Sequence, residues 1–211
     1  MLDKLYRRIF NRIRDIQLNI STGGIVPSEA KDHIHYATVS YSCTEFVLRR
    51  LKLTATDTFV DVGCGKGRVT CLAGRFDLSE VVGIEYSSTL ADIAERNANR
   101  LRGRRSKITI RRQSAETSDY SRATVLYFFN PFESSILDSV LHKIRTDRSL
   151  QPTRLVFVME SEAQRAVFSA HTWLTCYERF DDSDRHSVAF YCNLRVCSSP
   201  GNVAKRKNFN A

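Results

Sequence analysis

A glycine-rich turn that follows a short apolar run is the feature that most limits what this chain can fold into. The segment reads TFVDVGCGKGRVT, Thr58–Thr70, and its glycines are Gly63, Gly65 and Gly67. Such a turn between a strand and a helix lets the backbone approach a ligand closely, and it presents free amides at the start of the helix. The segment therefore predicts a binding site for a nucleotide-like ligand.

The rest of the chain alternates between strand-like and helix-like patterns. The predicted strands are Thr58–Val62, Glu80–Glu85, Lys107–Arg112, Thr124–Phe129 and Leu155–Met159, and the predicted helices are Gly67–Phe76, Ser88–Arg102, Glu133–Arg148 and Ser161–Ala170. This alternation indicates a parallel sheet with helices on both faces. Two further strands, Trp173–Phe180 and Ser187–Asn193, are joined by a short polar loop and must therefore be antiparallel. We predict a Rossmann-like α/β fold with a seven-stranded, mostly parallel sheet and a C-terminal antiparallel hairpin.

The N-terminal segment, MLDKLYRRIFNRIRDIQL, predicts a basic amphipathic helix. Its apolar residues at helical spacing are Leu2, Leu5, Tyr6, Ile9, Phe10, Ile13 and Ile16, with Arg7, Arg8, Arg12 and Arg14 mostly between them. Such a helix can lie on a membrane, target a mitochondrion or hold a phosphate backbone. We favour packing against its own domain, with the basic face in solvent. We expect three regions: a helical cap and cofactor-covering loop (1–53), a core (54–194) and a basic disordered tail (195–211).

Composition adds weaker constraints. The chain has 211 residues and a formal net charge of +9, which favours acidic partners such as nucleic acid or anionic lipid. Six cysteines without a signal peptide or tight spacing are expected to be reduced. No zinc-ligand spacing occurs, so no metal is expected, and no apolar run is long enough to span a membrane. These observations favour a cytoplasmic protein.

Two carboxylates beside the glycine turn narrow the choice of ligand. The glycines are spaced G-x-G-x-G, one residue tighter than the usual dinucleotide pattern. Asp61 ends the strand before the turn, where it would repel a pyrophosphate and attract a cation. Glu85 ends the next strand, where a carboxylate binds ribose hydroxyls. S-adenosylmethionine combines a ribose with a cationic amino-acid tail and lacks a pyrophosphate.

The segments VDVGCGKGR and VVGIE resemble motif I and the acidic loop of class I S-adenosylmethionine-dependent methyltransferases. The resemblance extends from about Tyr36 to Asn193. It implies that the turn residues Asp61, Gly63, Cys64, Gly65 and Gly67 surround the methionine end. It further implies that Glu85, with its neighbour Tyr86, binds the ribose and that Ser114 and Ala115 lie beside the adenine.

The acceptor side is expected after the fourth strand, in VLYFFNPFES. Amino-methyltransferases acting on adenine carry a [DNS]-P-P-[YFW] loop at this place, and Asn130, Pro131 and Phe132 match it without the second proline. The resemblance implies that Asn130 binds the attacking amino group and that Phe132 stacks on a base. The alternative is a purely structural turn with Phe132 in the core.

The segment GGIVPSEAKDHIHYATVSY and the downstream FFNPF are similar to bacterial relatives of telomeric-silencing-type histone-lysine methyltransferases. This similarity implies that Thr38 and Tyr41 help to cover the cofactor and that Asn130 and Phe132 flank the acceptor channel. The first candidate acceptor is therefore a protein lysine. An amino group of an RNA or DNA base, a small-molecule amine and a non-catalytic scaffold remain alternatives.

Two further features bear on the acceptor. No residue is an obvious general base for a lysine acceptor, and Glu160 after the fifth strand is a weak candidate. The basic cluster Asn99–Arg112 can follow a nucleic-acid backbone, although a solvated helix end is the favoured interpretation.

Overall fold

The sheet has seven strands, as the sequence predicts. The computed structural model describes residues 2–24, 38–149, 151–181 and 186–193, with side chains from residue 8 onward. The strands are β1 (Thr58–Val62), β2 (Glu80–Glu85), β3 (Ile108–Arg112), β4 (Val125–Phe129), β5 (Arg154–Val158), β6 (Leu174–Asp181) and β7 (Ser187–Asn193). Their order is β3-β2-β1-β4-β5-β7-β6, and only β7 pairs antiparallel, with β5 and β6. The predicted fold class is confirmed.

In the described ranges, six α-helices lie between or before these strands. They are α1 (Leu2–Leu18), α2 (Tyr41–Arg50), α3 (Arg68–Ala73), α4 (Ser88–Arg100), α5 (Ser134–Arg148) and α6 (Glu162–Ala170). Serine N-caps at positions 40, 87 and 161 accept hydrogen bonds from backbone amides of the first turn and so set three of these starts. A short 3-10 turn, Ala115–Thr117, was not predicted.

Side chains alternate between the two faces of the sheet and form two apolar clusters. Phe59, Tyr127 and Val156 belong to one cluster, whereas the neighbouring Leu126 and Phe157 belong to the other. The first cluster also contains buried residues of α1, α2 and α3, and the second contains residues of α5 and α6. The N-terminal segment thus shares a core with the sheet. The predicted division at residue 53 stays a prediction.

The N-terminal helix packs on its own domain, as favoured, but not through the predicted face. Asp15 and Leu18 are buried, whereas Ile9, Ile13 and Ile16 are exposed. The expectation that the isoleucines face inward is therefore wrong for this part of the helix. The reason is a polar network around Asp15, which the helical periodicity of apolar residues does not reveal.

The Asp15 carboxylate accepts hydrogen bonds from two segments of the chain. Oδ1 accepts from Thr22 Oγ1 at 2.8 Å and Tyr41 OH at 2.5 Å, and Oδ2 accepts from Thr22 N at 2.8 Å. The guanidinium of Arg68 lies over the Tyr41 ring, 4.5 Å from its centroid. Burial, and then the hydrogen bond to Asp15, raise the pKa of the Tyr41 hydroxyl. This network joins α1 and α2 to the start of α3.

The structure bears on the expectations about the cysteines and about membrane-spanning helices. Cys43, Cys64, Cys71 and Cys176 are thiols, but Cys192 is disulfide-bonded, so the expectation of reduced cysteines is wrong there. The spacing of the cysteines along the sequence does not show which of them the fold brings together. None of the helices in the described ranges is long and apolar enough to cross a membrane. The predicted tail and most of the segment GGIVPSEAKDHIHYATVSY lie outside the described residues.

Replacing Tyr41 by phenylalanine tests the Asp15 network. The change removes one hydrogen bond to a buried carboxylate, so we expect the free energy of unfolding to fall by about 1–3 kcal/mol in urea titrations. Tyr177→Phe is the matched control, because its hydroxyl has no hydrogen bond within the described residues and its side chain is 48% exposed. Equal stability of both variants would contradict the role given to the network.

Candidate functional site

The candidate site lies at the carboxyl end of β1, where β2 and β4 flank it on either side. The strand order reverses between these parallel neighbours, and such a reversal opens a crevice for ligands at the carboxyl ends of the strands. The glycine turn follows β1, Glu85 ends β2 and Asn130 follows β4. The fold therefore brings the predicted cofactor and acceptor residues to one edge of the sheet.

All three glycines of the turn have left-handed backbone conformations. The φ angles are 76° at Gly63, 55° at Gly65 and 79° at Gly67. Residues other than glycine rarely adopt such φ angles, which explains why the sequence has glycine at each position. The turn is fixed to the neighbouring strand, because the amides of Gly63 and Cys64 both donate to the Ile84 carbonyl at 2.9 Å.

Asp61 is buried beneath this turn, with 2% of its surface exposed. Its Oδ2 accepts hydrogen bonds from Thr70 N at 3.0 Å and Thr70 Oγ1 at 2.6 Å. Within the described parts of the chain, Oδ1 has no hydrogen-bond partner. Burial raises the pKa of Asp61 to about 7, and the hydrogen bonds from Thr70 only partly oppose that rise. A cationic ligand group would stabilise the ionised carboxylate.

Glu85 lies beside the glycine turn and forms a hydrogen bond with its backbone. Its Oε2 accepts from Gly65 N at 2.8 Å, and its Oε1 accepts from Ser87 N at 2.9 Å. The neighbouring Tyr86 is 63% exposed. These two amides fix the orientation of the Glu85 carboxylate beside the turn. The predicted ribose contact stays a prediction.

The segment after β3 lies beside Glu85, because Gln113 N donates to the Glu85 carbonyl at 3.1 Å. Ser114 and Ala115, both half-buried, follow directly. The Ser114 hydroxyl accepts from Glu116 N at 3.2 Å and so begins the 3-10 turn. The predicted place of Ser114 and Ala115 beside the adenine stays a prediction.

Three predicted cofactor residues have other environments. Tyr41 has no exposed surface and belongs to the Asp15 network, so in this structure it offers no surface to a ligand. Cys64 is buried, and burial together with Asp61 and Glu85 raises the pKa of its thiol well above the usual value. Thr38 is half-buried and donates to the carbonyl of Val39. We assign Tyr41 to the core and correct the expectation accordingly.

The Asn130–Phe132 loop lies directly on the glycine turn. A Cβ added to Gly63 would lie 2.5 Å from Cβ of Pro131. Asn130 has a positive φ of 38°, a strained conformation of the kind that clusters at functional sites. Phe132 is only 8% exposed and packs edge-on against Phe128, with ring centroids 6.3 Å apart. Phe132 therefore lies in the core, as the alternative interpretation of this loop expected.

Gln164, which the sequence analysis missed, fixes the amide of Asn130. Its Nε2 donates to Asn130 Oδ1 at 2.7 Å and to the Phe132 carbonyl at 3.0 Å. Its Oε1 accepts from Ser161 N at 2.8 Å within the capping box of α6. The capping box identifies Oε1 as the acceptor, so the Asn130 atom facing Gln164 is its oxygen. The Ser-x-x-Gln spacing at Ser161 is a capping signal that could have identified Gln164, but not its contact with Asn130.

Lys66 and Asn97 were also missed, and both connect the turn to residues 21–24. Lys66 Nζ donates to the carbonyls of Gly23 and Gly24, at 2.5 and 3.0 Å. Asn97 Nδ2 donates to the Lys66 carbonyl at 2.9 Å and to the Ser21 carbonyl at 3.0 Å. Both contacts join residues distant in sequence, so periodicity could not have found them.

Comparisons with known proteins agree with this geometry. The family model "Histone methylation protein DOT1" matches residues 29–123. A relative from Drosophila melanogaster, "Histone-lysine N-methyltransferase, H3 lysine-79 specific", is 39% identical over 62 residues, which are 29% of this chain and 3% of the relative. The chain therefore spans only a small fraction of that relative's length.

Solved structures are similar over most of the chain. An RNA methyltransferase from Salinibacter ruber in complex with S-adenosyl-L-homocysteine has a TM-score of 0.60 and 22% identity, covering 74% of this chain and 94% of that one. Magnesium protoporphyrin IX methyltransferase from Synechocystis with bound S-adenosylmethionine has a TM-score of 0.58 and 12% identity, covering 72% and 76%. The fold is that of the class I methyltransferases. The resemblance inferred from motif I and the acidic loop is confirmed.

Glu160 does not have the environment of a general base in this class I fold. Its buried carboxylate accepts hydrogen bonds from Arg179 Nη1 and Tyr191 OH, and Arg165 Nε lies 3.4 Å from Oε2. The Glu160 carboxylate is thus the ion-pair partner of two arginines and also accepts a hydrogen bond from a tyrosine hydroxyl. We therefore withdraw Glu160 as a base for an acceptor lysine.

One group outside this crevice has metal-ligand chemistry. The possible ligand atoms of Asp138, His142 and His171 lie within 4.8 Å of one another. Trp173 Nε1 donates to His171 Nδ1 at 3.1 Å, so the proton of a neutral ring sits on Nε2 and faces Asp138 Oδ1 at 2.9 Å. Metal binding through Nε2 would place two donors face to face at Nδ1. We therefore interpret this group as a hydrogen-bonded tether.

Gly63→Ala tests the contact between the turn and the acceptor loop. The added Cβ would overlap Pro131 and keep a positive φ, so we expect a loss of about 2 kcal/mol or more in the free energy of unfolding. Gly23→Ala is the control, because its added Cβ would meet only Asp15 Oδ2 at 4.0 Å. A Gly63→Ala protein as stable as the control would contradict the close approach.

Proposed function

We propose that the protein is an S-adenosylmethionine-dependent methyltransferase that transfers the methyl group to an amino nitrogen. The observation that carries the proposal is the turn after β1, with three glycines at positive φ above a buried carboxylate that has one unpartnered oxygen within the described residues. The similarity to DOT1 proteins over residues 29–123 supports it.

The residues of the crevice fit this cofactor. Asp61 Oδ1 suits the α-ammonium of the methionine end, and Glu85 suits the ribose hydroxyls. The cofactor supplies a methyl group on a sulfonium, which is already an activated electrophile. The task of the protein is therefore to position the acceptor and exclude water, rather than to supply acid–base groups.

Cofactor binding should depend on pH through Asp61. Because its folded pKa of about 7 lies above the unfolded value of 3.8, ionising Asp61 destabilises the empty protein as the pH rises toward 7. A bound ammonium group offsets that cost, so binding below pH 7 must release a proton. We expect the affinity for S-adenosylhomocysteine to fall by up to tenfold for each pH unit below about 7, measured by calorimetry.

Asp61→Asn should weaken binding at pH 8 by roughly tenfold or more and remove the pH dependence, because the amide does not titrate. Asp77→Asn, at an exposed position, makes the same change in net charge and serves as control. Absence of any heat with the folded wild-type protein would refute cofactor binding. A pH dependence that persists in Asp61→Asn would assign the titration to another group.

For the acceptor, we propose a lysine side chain of a protein. The DOT1 similarity supports this choice, and the environment of Phe132 weakens the main alternative. An aromatic that stacks on a flipped base must present its face, whereas Phe132 is 8% exposed and packed against Phe128. Asn130 Oδ1 accepts from Gln164, and the second lone pair of this oxygen can accept from an N–H of the attacking amino group.

Labelled transfer distinguishes the acceptor classes. Protein incubated with radiolabelled S-adenosylmethionine and cell lysate should transfer label to material that protease removes and nuclease does not. Asp61→Asn protein is the control for label incorporated by lysate enzymes.

The other outcomes assign other acceptors. Nuclease-sensitive label would support a base amino group, and label in the low-molecular-weight fraction would support a small-molecule amine. Tight cofactor binding without label in any fraction would favour a non-catalytic scaffold, and it would contradict the proposed transfer while leaving cofactor binding intact.

A further inference from the structure

The exposed face of α1 is apolar, although the helix is docked on the domain. Ile9, Ile13 and Ile16 are 51%, 47% and 62% exposed. Their spacing of four and three residues places them on one side of the helix. On the opposite side, Asp15 is 4% exposed and Leu18 is 3% exposed. The described part of α1 thus points a carboxylate inward and three isoleucines outward.

Specific contacts hold the helix in this orientation. Asp15 accepts hydrogen bonds from Thr22 and Tyr41, and Arg14 forms an ion pair with Glu45 of α2. Rotating the isoleucines inward would bury them at the cost of breaking a satisfied buried carboxylate network. The apolar stripe, defined as Ile9, Ile13 and Ile16, therefore faces away from the domain as a fixed surface.

Arginines border the apolar stripe. Arg8 and Arg12 are exposed beside it, and Arg12, Arg100 and Arg102 line a cavity of about 310 Å³ between α1 and the end of α4. Asp15 also contributes to the lining, but its carboxylate is occupied by the network described above. No ion pair of Arg8, Arg12 or Arg102 occurs within the described ranges. Among the described residues, guanidinium groups without an ion pair thus border the exposed isoleucines.

We propose that this face of α1 binds an anionic membrane surface. The isoleucines would enter the boundary between headgroups and acyl chains, and the arginines would contact lipid phosphates and carboxylates. The proposal concerns a surface other than the methyltransferase crevice and goes beyond the proposed reaction. It would place the enzyme at a lipid surface without a membrane-spanning helix.

The charge pattern favours this occupant over two others. A second copy of the chain would bring the same arginines toward one another in a two-fold interface, which is electrostatically unfavourable. A nucleic acid would pair with the arginines, but isoleucines offer no flat ring on which a base can stack. An anionic bilayer satisfies both the apolar stripe and the positive charge.

Vesicle sedimentation of the full chain tests the proposal. We expect binding to phosphatidylcholine vesicles that contain phosphatidylserine and about tenfold weaker binding to pure phosphatidylcholine. Ile9→Gln with Ile13→Gln should weaken binding to the anionic vesicles at least tenfold, because two exposed apolar side chains are lost. Arg8→Gln with Arg12→Gln should also weaken it, and more so at low salt.

Matched controls separate this surface from net charge and from folding. Arg104→Gln with Arg145→Gln removes two exposed arginines elsewhere and should leave vesicle binding unchanged. Ile16→Gln, at the most exposed isoleucine, provides a single substitution should the double variant unfold. Unchanged urea midpoints would confirm that each variant is folded.

Several outcomes would overturn the proposal. These are the absence of wild-type binding, equal binding to neutral and anionic vesicles, and equal loss in the arginine control. Self-association abolished by the isoleucine substitutions, seen by sedimentation velocity, would assign the face to a second copy. Duplex RNA or DNA binding that depends on Arg8 and Arg12 but not on the isoleucines would assign it to nucleic acid.

Discussion

The buried guanidinium of Arg68 is the interaction on which the rest of the structure depends. Arg68 is 3% exposed, and it donates to Thr22 Oγ1 and to the Val39 carbonyl, both at 2.7 Å. It is also the first residue of α3, directly after Gly67. One side chain therefore joins the ligand turn to the two N-terminal segments that precede it. Because an uncompensated buried charge is costly, the cap and the turn must fold as one unit.

The sheet could be predicted closely because its signals are local. β1, β2 and β7 begin and end at the predicted residues, since short apolar runs bounded by turn residues define buried strands. The orientation of α1 could not be predicted in this way. Periodicity identifies the apolar stripe, but only the buried partners of Asp15 show that the stripe faces outward.

The residues of the candidate site likewise include some that the sequence predicts and some that it does not. Asp61, Glu85 and the glycines follow from strand ends and residue type, and the fold brings them together at the carboxyl end of β1. Gln164, Lys66 and Asn97 were missed because each acts through a partner more than thirty residues away in the chain. Polar residues that hold a site through tertiary contacts leave no periodic signal, whereas residues that shape a turn do.

The donor and acceptor halves of the site have different kinds of support. The DOT1 match ends at residue 123, before β4, so it covers the glycine turn and Glu85 but neither Asn130 nor Gln164. The acceptor side is therefore supported only by contacts between residues of this structure. Pro131 rests on Gly63, and Gln164 fixes the Asn130 amide with its oxygen turned toward α6. A change in the turn would consequently move this loop, so in the proposed reaction the residues that would hold the methyl donor also set where the acceptor nitrogen could approach.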